Sequence, residues 1–487
     1  MATLLRLPKA SVAGYVLETP DPHVAQVRIS ETDKDYLIAL NELDMAKALL
    51  QERPADQVFD RGAIAVKAEL GQAPLVPTIL ADVLALPYQA RLQLHPDTSL
   101  EVALQNARSL IQPILSTPAD LLEQLVAKYE QGTRDCQTAC VFLSAGWDSR
   151  LEICLVRAAM GEAGTIYALH IYTSDPELDI ARRVAEEVGA TLLVYDAAGL
   201  LQVGLQWYRL INRLGLESTW RPTVPIYGTI IAAAVHRLGT CCVFGFTSYP
   251  LKGRHYDEPV TSHPPCSGRV RVLGSSKAQE LLADQRQKQV AINSQGFLWK
   301  ALANMSKGWP DAPRRDYINW TAQYGYAYSH RTRSLSFLGQ QSPFAESDIL
   351  SAFMGLEAQD KVGITFIRGA LNALNAKVSE IPVLASSGDV SQKITTPAGI
   401  LQSAEPTINK LSPLGGYPVG LSAIHTASLT TETDIYAAAF SGRSILLRAE
   451  LVKASLAREV LDFGISMGGP YLVNSVQLAE FLKRCQD

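Results

Sequence analysis

Ala139-Cys140-Val141-Phe142-Leu143 runs directly into Ser144-Ala145-Gly146-Trp147-Asp148-Ser149, and Arg150 then opens a run carrying Leu151, Ile153, Cys154, Leu155 and Val156. Five apolar residues in a row suit a fully buried strand, and the apolar density after Arg150 is too high for a surface element. The small, polar stretch between them therefore lies at the carboxyl end of a strand and the amino end of a helix. Free backbone N–H groups gather there with the positive end of the helix dipole, and both favour a polyphosphate. Ser144 and Ser149 add hydroxyl donors, Gly146 lets the backbone approach an anion, and Asp148 can hold a Mg²⁺ that offsets part of its charge.

Working outward, the strand pattern Thr165–Tyr172 is followed by the polar turn Thr173-Ser174-Asp175-Pro176 and a helix over about 177–188. Leu178, Ala181, Val184, Ala185 and Val188 share one face of that helix, with Arg182, Arg183, Glu186 and Glu187 on the other. A strand follows at 190–195. A later helix bearing Tyr227, Ile230, Ile231, Ala234, Val235 and Leu238 leads into a strand at 241–246. This alternation predicts an α/β fold with a parallel sheet, right-handed crossovers, helices on both faces and ligands at the carboxyl ends of the strands.

The loop at 144–149 resembles the Ser-Gly-Gly-x-Asp-Ser pyrophosphate loop of the N-type ATP pyrophosphatases. The hydrophobic strand before it and Arg150 after it are similar to the asparagine synthetase-like branch of that family. Ala145 stands at the family's first Gly, which keeps the N–H and would be strained at a positive φ. A longer match is Ser218-Thr219-Trp220-Arg221-Pro222-Thr223-Val224-Pro225-Ile226-Tyr227, which resembles the family's Thr-x-x-Arg…Pro-x-Tyr segment leading into a helix that lines the ATP site. Residues 324–345, ending in Ser342-Pro343-Phe344-Ala345, resemble the stretch that ends in Pro-Phe-Leu-Asp. Residues 364–374 follow like its next helix, and 78–94 resemble the segment between the family's two domains.

The resemblance spans roughly residues 75 to 390 and implies an adenine nucleotide alpha hydrolase-like domain over 119–395. A small β-rich or α+β domain over 1–118 precedes it, with apolar runs at 12–17, 24–29 and 36–40 and a helical stretch at 43–50. Residues 396–487 read as a linker and C-terminal helices packing on that core. Residues 100–125 read as helices broken at Pro113 and Pro118. By resemblance, ATP is held by Leu143, Ser144, Ala145, Gly146, Asp148, Ser149, Ile171, Tyr172, Ser218 and Arg221, and Mg²⁺ by Asp148. Asp148, Arg221 and Lys252 are the catalytic candidates. The implied reaction is ATP-dependent amide formation with AMP and pyrophosphate as products, from a small-molecule or peptide carboxylate and an amine.

The chain also departs from the family. Position 2 is Ala, where glutamine-dependent members carry their nucleophilic cysteine, so no glutaminase activity is expected. After the strand at 241–246 the family has Ser-Gly-x-Gly-x-Asp-Glu; here the residues are Gly245-Phe246-Thr247-Ser248-Tyr249-Pro250-Leu251-Lys252-Gly253, and both acids are gone. Asp257 and Glu258 lie in the loop beyond, which is either a substrate lid or a polar insertion. The family's transition-state lysine also has no counterpart in Ile381-Pro382-Val383-Leu384-Ala385-Ser386-Ser387-Gly388, although Lys377 and Lys393 flank that gap. These losses keep open a catalytically lapsed relative that binds a nucleotide or a partner. Sulfur transfer, a third option, lacks the paired loop cysteines it usually needs.

Length and composition bound the rest. The 487 residues, 47% hydrophobic and 19% charged, suit a globular chain of two or three domains. A net charge of −4 gives no global attraction to nucleic acid or an acidic membrane. With no spanning apolar run and no signal-peptide core at the start, the expectation is a cytoplasmic protein, and a homo-oligomer is left open. Seven cysteines without a Cys-x-x-Cys pair suggest reduced thiols, and the eight scattered histidines argue against zinc.

Overall fold

A computed structural model describes residues 4–19, 27–61, 63–64, 78–172, 175–196, 230–231, 234–235, 238–239, 242–245, 251, 301–321, 339–385, 392–395 and 401–404, with short pieces at 457–458, 460–461, 478–479 and 481–485. At its centre is a five-stranded sheet in the order Thr191–Asp196, Thr165–Tyr172, Thr138–Phe142, Cys242–Phe244, Gln340–Gln341. Every neighbouring pair is parallel. The four strands expected from the apolar runs are present with ends shifted by a residue or two. Gln340–Gln341 is an addition: two glutamines carry neither a period nor an apolar run.

Thr138–Phe142 is the middle strand because both of its faces are covered, and Ala139, Cys140 and Val141 are fully buried. A strand buried on both sides needs apolar residues throughout rather than alternately. Thr191–Asp196 lies at the sheet's edge, and there Val194 is exposed. The chain winds from the middle strand towards one edge and then returns to add Cys242–Phe244 on the other side. The strand order therefore reverses at the boundary between Thr138–Phe142 and Cys242–Phe244.

Helices flank this sheet. Trp147–Met160 packs on the middle strand, Pro118–Thr133 and Thr365–Leu374 pack on Trp147–Met160, and Asp175–Glu187 covers the two strands beside it. Their shared core joins Leu125 and Tyr129 to Val141, Leu155, Phe244, Phe344 and Leu371, each large side chain contributing about 1.5–3 kcal/mol by leaving water. Pro118 starts a helix rather than breaking one. It occupies the first turn, where no N–H is required, and Thr117 and Asp120 bond reciprocally ahead of it in a capping box.

The N-terminal part is β-rich, as its short apolar runs suggest. Leu4–Pro8, Asp35–Ala39, Arg28–Glu31 and Val83–Ala85 form one antiparallel sheet, and Tyr15–Glu18, Ala90–Leu94 and Arg108–Ser109 another. Asn41 caps the helix Glu42–Leu50 by accepting from Asp44 N at 2.8 Å. A second core ties these sheets to later parts of the chain, joining Tyr36, Tyr88 and Leu92 to Leu302, Tyr317, Trp320 and Met354. A third antiparallel sheet, Val383–Ala385 with Gln392–Thr395 and Leu401–Ala404, carries residues that read as linker in the sequence beyond 395.

Cys136 is disulfide-bonded, against the expectation of reduced thiols. Cys140, Cys154, Cys242 and Cys485 are free and buried. Among the described residues no helix is long and apolar enough to cross a membrane.

Candidate phosphate-binding site

Leu143 continues the middle strand for one further bond, its N–H donating to Leu169 O at 2.9 Å. The chain then folds on itself through its serines. Ser144 N donates to Ser149 Oγ at 3.0 Å, Ser149 Oγ donates to Ser144 O at 3.1 Å, and the two hydroxyl oxygens lie 3.0 Å apart. Gly146 N donates to Ser144 Oγ at 3.2 Å. Both hydroxyls are thus held within the loop, bonded to the N–H groups of Ser144 and Gly146.

Gly146 is the N-cap of Trp147–Met160, and no side chain caps that helix. A helix amino terminus without a side-chain cap turns the positive end of its dipole towards the loop. Asp148 lies in its first turn. Ala145 carries no strain: among the described residues the non-glycine residues at positive φ are Asp82, Gln89 and Ile364. The loop therefore tolerates Ala where the resembled family has Gly. Gly146 itself has φ −82°, and a Cβ there would stand 3.3 Å from Ser144 Oγ, so close packing rather than a special dihedral favours glycine.

Buried ionisable groups surround the loop. Arg150 is fully buried, and its Nη1 donates to Ile381 O at 2.5 Å while its Nη2 donates to Ala145 O at 3.3 Å and to Pro382 O. Burial lowers its pKa to about 10. Glu177 reaches in from the next helix to accept from Ala145 N at 3.5 Å. Burial pushes its carboxyl up to about 7, opposed by that N–H. Glu152, one turn beyond Asp148, accepts from Tyr129 Oη at 3.0 Å. Burial raises its pKa to about 8; the Tyr129 bond opposes this and the Asp148 charge adds to it. His170 approaches Leu143 O through Nδ1 at 2.9 Å, and burial pushes its pKa down, so the neutral ring donates from Nδ1.

Trp147 is half-buried, and two guanidinium groups lie over its ring: Arg150 at 5.6 Å and Arg368 at 5.2 Å from the centroid. Arg150 is committed to backbone carbonyls. Arg368 is exposed and has no acidic partner among the described residues.

The structure brings together Leu143, Ser144, Ala145, Gly146, Asp148 and Ser149 as one loop, and sets Ile171 and Tyr172 at the carboxyl end of the adjacent strand. Tyr172 Oη donates to Asp175 at 2.9 Å. Ser218, Arg221 and Lys252 lie outside the described residues. Sequence reading passed over Glu152, Glu177, His170 and Arg368. Glu152 was legible, since its spacing of four from Asp148 puts both carboxyls on one helix face; the other three reach the loop from distant elements and leave no local pattern.

Among the described residues no three His, Cys, Asp or Glu side chains converge on a self-contained metal site. A Mg²⁺ that arrives on a polyphosphate needs only one or two protein carboxylates, and Asp148 at the helix start fits that requirement. The arrangement suits binding of a polyanion at the carboxyl edge of the sheet, where the strand order reverses. No protein-family model matches the chain, and no curated protein matches it.

Proposed function

We propose that the chain is an asparagine synthetase-like, ATP-dependent amide ligase that forms AMP and pyrophosphate and does not hydrolyse glutamine. The observation that carries this reading is the placement of the loop. Ser144–Ser149 opens an uncapped helix at the point where the strand order reverses, which is where open parallel sheets bind nucleotides. In the proposed reaction a substrate carboxylate oxygen bonds to the α-phosphorus and pyrophosphate leaves with the broken P–O bonding pair. An amine nitrogen then bonds to the acyl carbon, AMP leaves with the C–O bonding pair, and the nitrogen gives up a proton. Ser144, Gly146 and Ser149 would hold the phosphates and Asp148 the Mg²⁺, which offsets charge on the departing pyrophosphate. By resemblance Arg221 adds a second cation there, and Ile171 and Tyr172 flank the nucleotide.

The test is exchange of labelled pyrophosphate into ATP, with Mg²⁺ and a panel of amino acids and small peptides as acids. Acid-dependent exchange is the expected result. The loss of both loop acids and of the family's lysine supports a second reading, a lapsed relative that binds nucleotide without forming a bond. ATP binding measured by calorimetry without exchange for any acid would favour that second reading. Absence of ATP binding would remove both.

A further inference from the structure

Each backbone N–H from residue 144 to residue 146 has a partner inside the protein, and one of the three partners is ionisable. Ser144 N donates to Ser149 Oγ at 3.0 Å and Gly146 N to Ser144 Oγ at 3.2 Å, both neutral hydroxyls. Ala145 N donates instead to Glu177 Oε1 at 3.5 Å, a long bond that is readily loosened. That carboxyl comes from the first turn of Asp175–Glu187, 32 residues further along the chain, and both residues are buried.

A buried acid in contact with the loop restricts what the loop can hold. A polyphosphate on residues 144–149 and an ionised Glu177 would place two anions close together where water screens little. Such a pair does not keep both full charges, and the carboxylate yields by taking a proton. The nearest cation of the loop helix, Arg150, is committed to the carbonyls of Ala145, Ile381 and Pro382. Of the elements packed against Asp175–Glu187, Thr165–Tyr172 carries His170, which bonds Leu143 O, and Tyr172, which bonds Asp175. Ala376–Glu380 carries Lys377, which pairs with Glu187, and Glu380; Thr191–Asp196 carries Tyr195, and Val383–Ala385 carries no titratable group. Burial holds the Glu177 carboxyl up at about 7, opposed by the Ala145 N–H, so its proton exchanges near neutral pH.

We propose that residues 144–149 bind a polyphosphate together with a proton, and that Glu177 is the group that takes the proton up. The protonated acid still accepts from Ala145 N through its carbonyl oxygen and gains an O–H donor, whereas the ionised acid repels the ligand. Affinity for a polyphosphate therefore falls as pH rises through neutrality. This assignment rests on the phosphate-loop part of the reading above and adds to it a residue that tunes the loop's affinity without belonging to the loop.

The probe is inorganic pyrophosphate, titrated calorimetrically into the full chain and into its Glu177→Gln variant at pH 6 and pH 8. Glutamine has the same shape, keeps an acceptor for Ala145 N and cannot ionise, and comparing the two proteins at one pH cancels the ligand's own titration. The wild-type Kd should match the variant's within about twofold at pH 6 and exceed it roughly tenfold at pH 8, as one acid with a pKa of about 7 requires. Wild type alone, titrated at pH 8 in two buffers of different ionisation enthalpy, should take up about one proton beyond the change in pyrophosphate itself, a measurement that stands even if Glu177→Gln does not fold. The same Kd ratio at both pH values, or no proton uptake by wild type, overturns the proposal and leaves the loop reading intact. If pyrophosphate binds neither protein, both fall. Proton uptake without exchange of pyrophosphate into ATP leaves the role of Glu177 standing and removes the ligase reading.

Discussion

Arg150 Nη1 donates to the carbonyl of Ile381 at 2.5 Å, across 231 residues of chain. The same guanidinium also serves Pro382 O and Ala145 O, so one buried side chain ties the 144–149 loop to the segment at 381–382. A planar fork can address carbonyls on two sides, which a single ammonium cannot do as well. Replacing it leaves three carbonyls short of a donor, each charge-assisted bond being worth about 1.5–3 kcal/mol. Arg150→Met is expected to lower stability by about 3 kcal/mol or more, and Arg150→Lys to recover less than half of that. Urea unfolding midpoints measure both; unchanged midpoints would show that the tie is not stabilising.

Glu152 makes stability depend on pH. Its folded pKa, about 8, lies above the ordinary value of 4.5, with burial the largest cause. The folded state therefore holds a proton that the unfolded state has released between those two values. Stability from this group is fully present below pH 4.5 and is lost as pH rises towards 8, by up to about 1.4 kcal/mol per unit. Glu152→Gln still accepts from Tyr129 Oη and cannot ionise. The variant should show a flatter profile across that window and exceed wild type in stability near pH 9. Parallel profiles would mean that Glu152 titrates normally.

The sheet and its loop were legible because each buried strand is an apolar run and each helix an amphipathic one, and 139–150 contains both with a polar joint between. Gln340–Gln341 was not legible, because its place in the sheet comes from pairing with Cys242–Phe244 rather than from its own residue types. Pro118 misled because a proline inside a helix and a proline at its first position look alike until Thr117 and Asp120 are seen to bond. The loop's serines, its glycine and Asp148 are visible in the sequence itself. Arg368 and Glu177 did not, since their approach to residues 145–147 depends on helix packing that no local spacing encodes.

Gly355 marks a backbone contact. A Cβ there would run into the carbonyl of Ile114, and that strand of chain is held in place by Ile114 N donating to Ser351 O at 3.0 Å. The obstacle is backbone and cannot rotate away. Gly355→Ala is expected to cost about 1–3 kcal/mol as overpacking, against the usual gain from replacing a helical glycine. A thermal scan showing Gly355→Ala at or above the wild-type Tm would show that residues 111–116 yield easily.

Arg368 and Asp148 should separate binding from turnover at the proposed ATP site. Arg368 is an exposed cation over Trp147, the first residue of the loop helix, and has no acidic partner among the described residues. Arg368→Ala should weaken ATP binding roughly fivefold, the equivalent of about 1 kcal/mol from an exposed charge, and less at high salt. The pyrophosphate-exchange rate at saturating ATP should then change little. Asp148→Ala should do the reverse, because a Mg²⁺ held there would matter most when charge builds on the leaving pyrophosphate. Exchange should fall ~100-fold or more, with a smaller change in ATP affinity. Calorimetry gives the affinities and exchange gives the rates. Should Asp148→Ala bind ATP and exchange pyrophosphate as wild type does, the loop is not the phosphate site. Should Arg368→Ala leave ATP affinity and its salt dependence untouched, the guanidinium over Trp147 belongs to packing alone.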